Sequence, residues 1–355
     1  MELDPNHMKS LSQDLILDIM SRLDGRTLAA IAATCIDHRD AAGDENLWQK
    51  LCHDTWPSTS KRKLPLEKTG GFKSLYADAF PLILQHEVKR AVRKTIASPT
   101  SFDTSLSSTN FISFIDIYYK ELCIFSKVVD GIIEGIDLQR FLCYPFKLDV
   151  LGPKGASQDF QDFGGKDILT NLPSTTFLDY GDRRDISNKI VEDLRLSWIL
   201  FDRRTGKAVN ISSWRPRSIH KCNYSEEGYI ICFGSVVTMD DGITTHISAE
   251  FALTAKCKLL IKQGCIRWTE ITLAIKDIDG SHLNGERSVR VMKQALICTR
   301  SVNHYMVNSR YQQFCEQKTK LKLRNEQQES LANLFYATIA IAALLAIFYG
   351  CATLL

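Results

Sequence analysis

The chain has 355 residues, 45% of them hydrophobic and 24% charged, and a formal net charge of +3. This composition excludes a disordered chain, and a small positive balance spread along the length argues against a nucleic-acid partner. Eleven cysteines occur singly, with no CxxC pair and no apolar signal segment at the N-terminus, the usage expected of a cytosolic protein with reduced thiols.

Residues 11–52 read LSQDLILDIMSRLDGRTLAAIAATCIDHRDAAGDENLWQKLC. Leu15, Ile16, Ile19, Met20 and Leu23 recur with helical spacing and predict a helix with one apolar stripe. Ser12 supplies an N-cap hydroxyl, Asp14 lies in the first turn, and Asp24-Gly25 ends the helix. Thr27 is the expected cap of a second helix with Leu28, Ile31, Ala32 and Cys35 inward. Asn46 is the expected cap of a third, carrying Leu47, Trp48, Leu51 and Cys52. Three helices this short bury little apolar surface, so the segment is expected to dock on a partner.

These residues resemble the F-box. Leu11, Asp14, Leu15, Ile16, Ile19, Met20, Leu23, Leu28, Cys35, Arg39, Trp48, Leu51 and Cys52 fall on its pattern. Ser12 and Asp24 stand where the family usually has Pro, and His38 where it usually has Trp. The resemblance implies a domain over 8–55 that binds a Skp-type linker protein, and through it the cullin and RING subunit of an SCF ubiquitin ligase. The partner-binding residues it implies are Leu11, Asp14, Leu15, Ile16, Ile19, Leu23, Leu28, Trp48 and Leu51, some of which must instead hold the helices together.

Residues 56–107 read as a helical linker. A basic loop at Lys61, Arg62 and Lys63 leads to one more helix with Leu82, Val88 and Val92, and then to a Ser/Thr-rich loop from Pro99 to Asn110. From 108 to 282, β-branched and aromatic residues come in short runs: FISFIDIYY, LCIFSKVV, RFLCY, LRLSWILF, KAVNIS, GYIICFGSVVTM, HISAEFALTAK and CIRWTEITLAI. Lys120-Glu121, Asp202 to Gly206 and Asp240-Asp241-Gly242 read as turns. The expectation is an antiparallel β-sandwich-like domain that recognises a client protein, with each sheet packed on one side and a long irregular insertion around 159–185.

After Asn284-Gly285 the chain turns helical and charged, and residues 283–330 are expected to form a stalk. From Leu331 to Leu355 no charged residue occurs, and the run is long enough to predict a transmembrane tail anchor. Lys318, Lys320, Lys322 and Arg324 form a basic flank that would keep the body on the cytosolic or nuclear side of an endomembrane.

Catalytic signatures are missing: there is no HExxH, GxSxG, P-loop or GxGxxG, and no zinc-type spacing of Cys and His, so neither a cofactor nor a metal is expected. Two stretches, LRLSWILFDRRTGKAVNISSWRP and AIKDIDGSHLNGERSVRVMKQAL, resemble the C-terminal region of a small family of plant F-box proteins, nearest to a cytokinin-induced member with a hydrophobic C-terminus. The expected fold is α+β and multidomain: a three-helix F-box, a central antiparallel sandwich, a charged helical stalk and a transmembrane helix. The expected function is a non-catalytic, membrane-tethered substrate adaptor of an SCF ligase. A membrane-anchored binding or scaffold protein that assembles no ligase is the alternative.

Overall fold

The computed structural model describes residues 12–66, 70–84, 111–131, 141, 143–152, 168–172, 189–222, 228–239 and 247–352. Leu11, the Pro99–Asn110 loop, Val88 and Val92, most of the 159–185 insertion and the Asp240–Gly242 turn lie outside these residues. The chain opens with α1 (Gln13–Met20), α2 (Gly25–Ala32), α3 (Ile36–Ala41) and α4 (Glu45–Thr55). Each start has a side-chain cap. Ser12 accepts from the Leu15 N–H, Asp24 from the N–H groups of Arg26 and Thr27, Cys35 Sγ from His38, and Asp44 from Asn46. The second helix is thus capped three residues before the expected Thr27, and Asp24 starts α2 instead of ending α1. The segment also holds one more short helix than expected. Ser12 and Asp24, two of the departures from the F-box pattern, are both caps.

Helix α5 (Gly71–Ala79) follows and ends in strand β1 (Leu82–Ile83), so Leu82 is in a strand and not in the expected helix. The remaining strands are β2 (Phe111–Tyr119), β3 (Leu122–Asp130), β4 (Lys147–Asp149), β5 (Ile168–Asn171), β6 (Leu194–Asp202), β7 (Ala208–Asn210), β8 (Ser218–Lys221), β9 (Gly228–Met239), β10 (Ile247–Leu260), β11 (Cys265–Asp277) and β12 (Arg300–Ser301). They make two six-stranded sheets. One runs β12-β1-β7-β6-β2-β3. The other runs β4-β11-β10-β9-β8, with β5 also on β11. All pairs are antiparallel except β1 with β7. One core, including Ile115, Trp198, Leu200, Phe251, Trp268 and Leu273, fills the space between the sheets.

The first sheet is not packed on one side only. All nine residues of β2 are buried. Ile115, Ile117 and Tyr119 face the second sheet, while Ile112 and Phe114, with Ile199, Phe201 and Ala208 beside them, join a second core with Met20, Leu28, Trp48, Cys52, Trp56, Leu75 and Tyr76. A strand covered on both faces loses the apolar–polar alternation of a half-exposed one, which is why FISFIDIYY and LRLSWILF are nearly continuous apolar runs.

Polar contacts pin the same layer. Asp116, on β2, is buried and accepts from the Ser58 N–H (3.0 Å) and Oγ–H (2.5 Å). Tyr118 donates to the Thr55 carbonyl, Lys61 donates to the Ser126 carbonyl, and Arg62 and Arg203 share Asp130. Asp78, on α5, accepts from the Ala208 N–H and pairs with Arg300 on β12.

The segment after Asn284 is more than a stalk. Asn284 caps α6 (Gly285–Ala295), accepting from the Arg287 N–H at 3.0 Å, and the helix buries Val289, Val291, Met292 and Ala295 in the sandwich core. The chain then returns to the first sheet as β12 before α7 (His304–Ala352) begins. Val307 and Phe314 of α7 are buried, and Lys318 pairs with Glu250 on β10 at 2.8 Å. Beyond that point α7 stands clear of the body, with Lys320, Lys322 and Arg324 exposed.

The transmembrane expectation is corrected: among the described residues no helix is long and apolar enough to cross a membrane. The apolar run is the end of one helix whose preceding turns are charged. The fold class therefore loses its membrane span, the single-pass endomembrane localisation loses its support, and the four cations Lys318, Lys320, Lys322 and Arg324 are residues of a charged helix and not a membrane flank.

Candidate docking surface

The apolar stripe of α1 divides in the folded chain. Met20 is buried, and Ile16 and Leu23 are half-buried against the F-box core. Leu15 and Ile19, one turn apart, remain 44% and 47% exposed. A short helix packed over one narrow line of contact leaves the shoulder of its stripe in water, here two large aliphatic side chains. Asp14 is exposed in the first turn of the same helix, and Asp18 pairs with Arg22 at 3.1 Å on its polar side.

Leu28 and Trp48 are buried and belong to the packing of the module. Trp48 donates its indole N–H to the Ala42 carbonyl at 2.7 Å and packs on Tyr76, with ring centres 5.6 Å apart. Tyr76 continues the stack onto Trp56 (5.3 Å) and Phe80 (5.1 Å). Leu51 is half-buried against the same core. Of the nine residues expected to bind a partner, Leu15, Ile19 and Asp14 are thus exposed, Ile16, Leu23 and Leu51 lie at the margin, Leu28 and Trp48 are interior, and Leu11 lies outside the described residues.

Ile36 was missed by the sequence reading. It is 71% exposed at the first position of α3, a helix that packs against α1. Its signal was an aliphatic residue directly after a capping cysteine in the otherwise polar IDHRDA, too short a run to show periodicity. His38, the third departure from the pattern, bonds Thr34 Oγ1 through Nδ1 at 2.9 Å. Electrostatics here are mild: Asp24, held by the Thr27 N–H, sits below the usual carboxylate range. Cys52, buried in the module, has its thiol pushed up to about 12 by desolvation, and so stays protonated and inert.

A helical module with exposed aliphatic residues, set on a β-rich body, defines a docking class of protein. A family profile described as F-box-like matches residues 13–54. F-box protein At3g44326 of Arabidopsis thaliana is 30% identical over 300 residues, covering 81% of this chain and 74% of that protein. F-box protein At2g27310 of the same plant is 27% identical over 337 residues, covering 91% and 89%. F-box protein GID2 of Oryza sativa subsp. japonica is 37% identical over 71 residues, 19% of this chain and 34% of that protein. No solved structure matches. The chain belongs to the plant F-box protein family. The narrower likeness to a cytokinin-induced, membrane-anchored member is not supported.

Proposed function

We propose that this protein is the substrate-recognition subunit of an SCF-type ubiquitin ligase: the F-box binds a Skp-type linker, and the β-rich body holds a protein client. The observation that carries the reading is the pair Leu15 and Ile19, with Ile36 nearby in sequence order on a neighbouring helix, left in water by a module whose other described large aliphatic residues are buried or half-buried. Exposed aliphatic residues in a matched F-box are what a linker protein would cover. The adaptor itself needs no acid or base, because ubiquitin transfer gains from holding client and enzyme together at high effective concentration.

The test is recovery of a Skp-type linker and a cullin with the tagged full chain. The wild type is expected to recover both. Leu15→Lys with Ile19→Lys is expected to lose them at least about tenfold while thermal stability changes by less than about 1 kcal/mol, since both residues are already half in water. Failure of the intact chain to recover a linker would leave a binding protein that assembles no ligase.

A further inference from the structure

After β7 the chain passes through Ile211, Ser212, Ser213, Trp214, Arg215, Pro216 and Arg217 on its way to the second sheet. Trp214 has φ +64°, a left-handed conformation that residues with side chains adopt at a cost of about 1–3 kcal/mol. It persists because its surroundings fix it. The Trp214 carbonyl accepts from the Leu196 N–H at 2.9 Å, and its own N–H donates to Ser212 Oγ at 3.2 Å. Ser212 and Ser213 are buried; Ser212 Oγ donates to the Leu196 carbonyl (2.6 Å), and Ser213 Oγ donates to the Arg215 carbonyl (2.6 Å) and accepts from the Gly234 N–H (3.2 Å). The indole packs on Tyr118 with ring centres 5.2 Å apart. The backbone that presents Arg215 is therefore held before any ligand arrives.

Arginines gather around it, with a neutral histidine among them. Arg215 is exposed and, among the described residues, forms no ion pair. Arg217 lies over the Tyr311 ring, 4.1 Å from its centre, donates Nε–H to the Gly234 carbonyl and Nη1–H to Asn308 Oδ1, and among the described residues has no acceptor at Nη2. Burial, then Arg215 and Arg217, hold His304 below the usual imidazole range. Burial and then Arg215 also lower Arg195, against the opposing charge of Asp193. Glu250, the acid facing Arg217, is already engaged by Tyr311 Oη (2.6 Å) and Lys318 (2.8 Å). The N-terminal end of α7 adds its partial positive charge at His304. Val302, Tyr305 and Met306 stand exposed in the same turn of chain.

We propose that Arg215, with Arg195, Arg217 and His304 around it, docks an acidic segment of a partner protein, and that Val302, Tyr305 and Met306 take the apolar side chains beside its carboxylates. Calling that partner the client rests on the adaptor reading; the acidic chemistry does not. Arg215 and Arg217 lie on one turn beside the start of α7, and Val302, Tyr305 and Met306 bring apolar side chains to that corner. A nucleic-acid backbone would instead call for cations spread along a face.

The experiment is fluorescence anisotropy of a fluorescein-labelled poly-glutamate peptide against the full chain at low and physiological salt. Saturable, salt-sensitive binding is expected, weakened about fivefold by Arg215→Ala, lost with Arg215→Glu, and unchanged by Lys258→Ala, an exposed cation on β10. Equal binding by wild type and both Arg215 variants, absence of saturable binding, or Arg215-dependent binding of phosphatidylserine vesicles or of single-stranded DNA in preference to the peptide would each overturn it. Linker recovery is measured on the same variants. A wild-type chain that recovers the linker but binds no peptide condemns this site alone, and one that binds the peptide but recovers no linker condemns the adaptor reading alone.

Discussion

Asp116 is a carboxylate placed where a β2 side chain meets the F-box layer, fully enclosed and facing Ser58. Burial holds its pKa above the ordinary value, more than the hydrogen bonds from Ser58 and the charge of Lys61 lower it. The folded chain therefore binds this proton more tightly than the unfolded chain. The group's contribution is fully present below the unfolded value of 3.8 and is lost as pH rises through the raised folded value. Asp116→Asn removes that dependence while keeping an acceptor for the Ser58 N–H. Urea denaturation from about pH 4 upward should show the wild type losing stability relative to the variant. A difference that is flat, or that favours the wild type with rising pH, would show that the carboxylate is stabilised as an anion. In sequence, Asp116 is one polar letter in FISFIDIYY. That it would be buried, and against what, depends on a layer that comes from residues 12–80 and was invisible in the strand itself.

At the scale of elements, helix existence was legible and helix boundaries were not. The apolar spacing of α1 and the Trp48–Cys52 pattern announce their helices. The starts of α2 and α4 were misplaced because Asp24 and Asp44 compete with Thr27 and Asn46 as caps, and an aspartate before glycine reads as easily as a stop. Most strands lie on the runs that announced them. RFLCY does not: Phe141 instead packs edge-on to Phe146, with ring centres 6.2 Å apart, among the residues of the sandwich core. Exposure of Leu15 and Ile19 was beyond reach, since a stripe states which residues are apolar and not how wide the packing partner will be. Gly25 offers a test of how tightly these helices close on α5. A methyl group there would stand 2.3 Å from the Tyr76 ring, which Trp48, Trp56 and Phe80 hold in place. Helix propensity alone would favour Gly25→Ala by up to about 1 kcal/mol, whereas overpacking costs about 1–3 kcal/mol. Net destabilisation is expected in chemical denaturation; a stabilised variant would mean that the aromatic stack gives way.

Across the whole molecule, the two cores share one sheet, so the F-box helices and the sandwich are expected to unfold together. Trp48 and Trp56 sit in one core and Trp198 and Trp268 in the other. Tryptophan emission and far-ultraviolet circular dichroism should give one coincident thermal midpoint for the full chain. Two separated midpoints would show that the shared sheet does not couple them. Both layers were foreseeable as parts, a helical module and a β-rich body, but their fusion was not, because 56–107 read as a linker while its first half supplies Ser58, Lys61 and α5 to the contact.

The fusion has a consequence for which clients such an adaptor could serve. With Ser58 bonded to Asp116, Thr55 to Tyr118 and Tyr118 packed on Trp214, contacts among the described residues tie the F-box layer that carries Leu15 and Ile19 to the turn that carries Arg215. If the chain serves as such an adaptor, the span between ligase and captured segment is a fixed gauge. On the adaptor reading, a client is modified only where a lysine falls at the one offset this gauge sets, and a tightly held protein whose lysines lie elsewhere passes untouched.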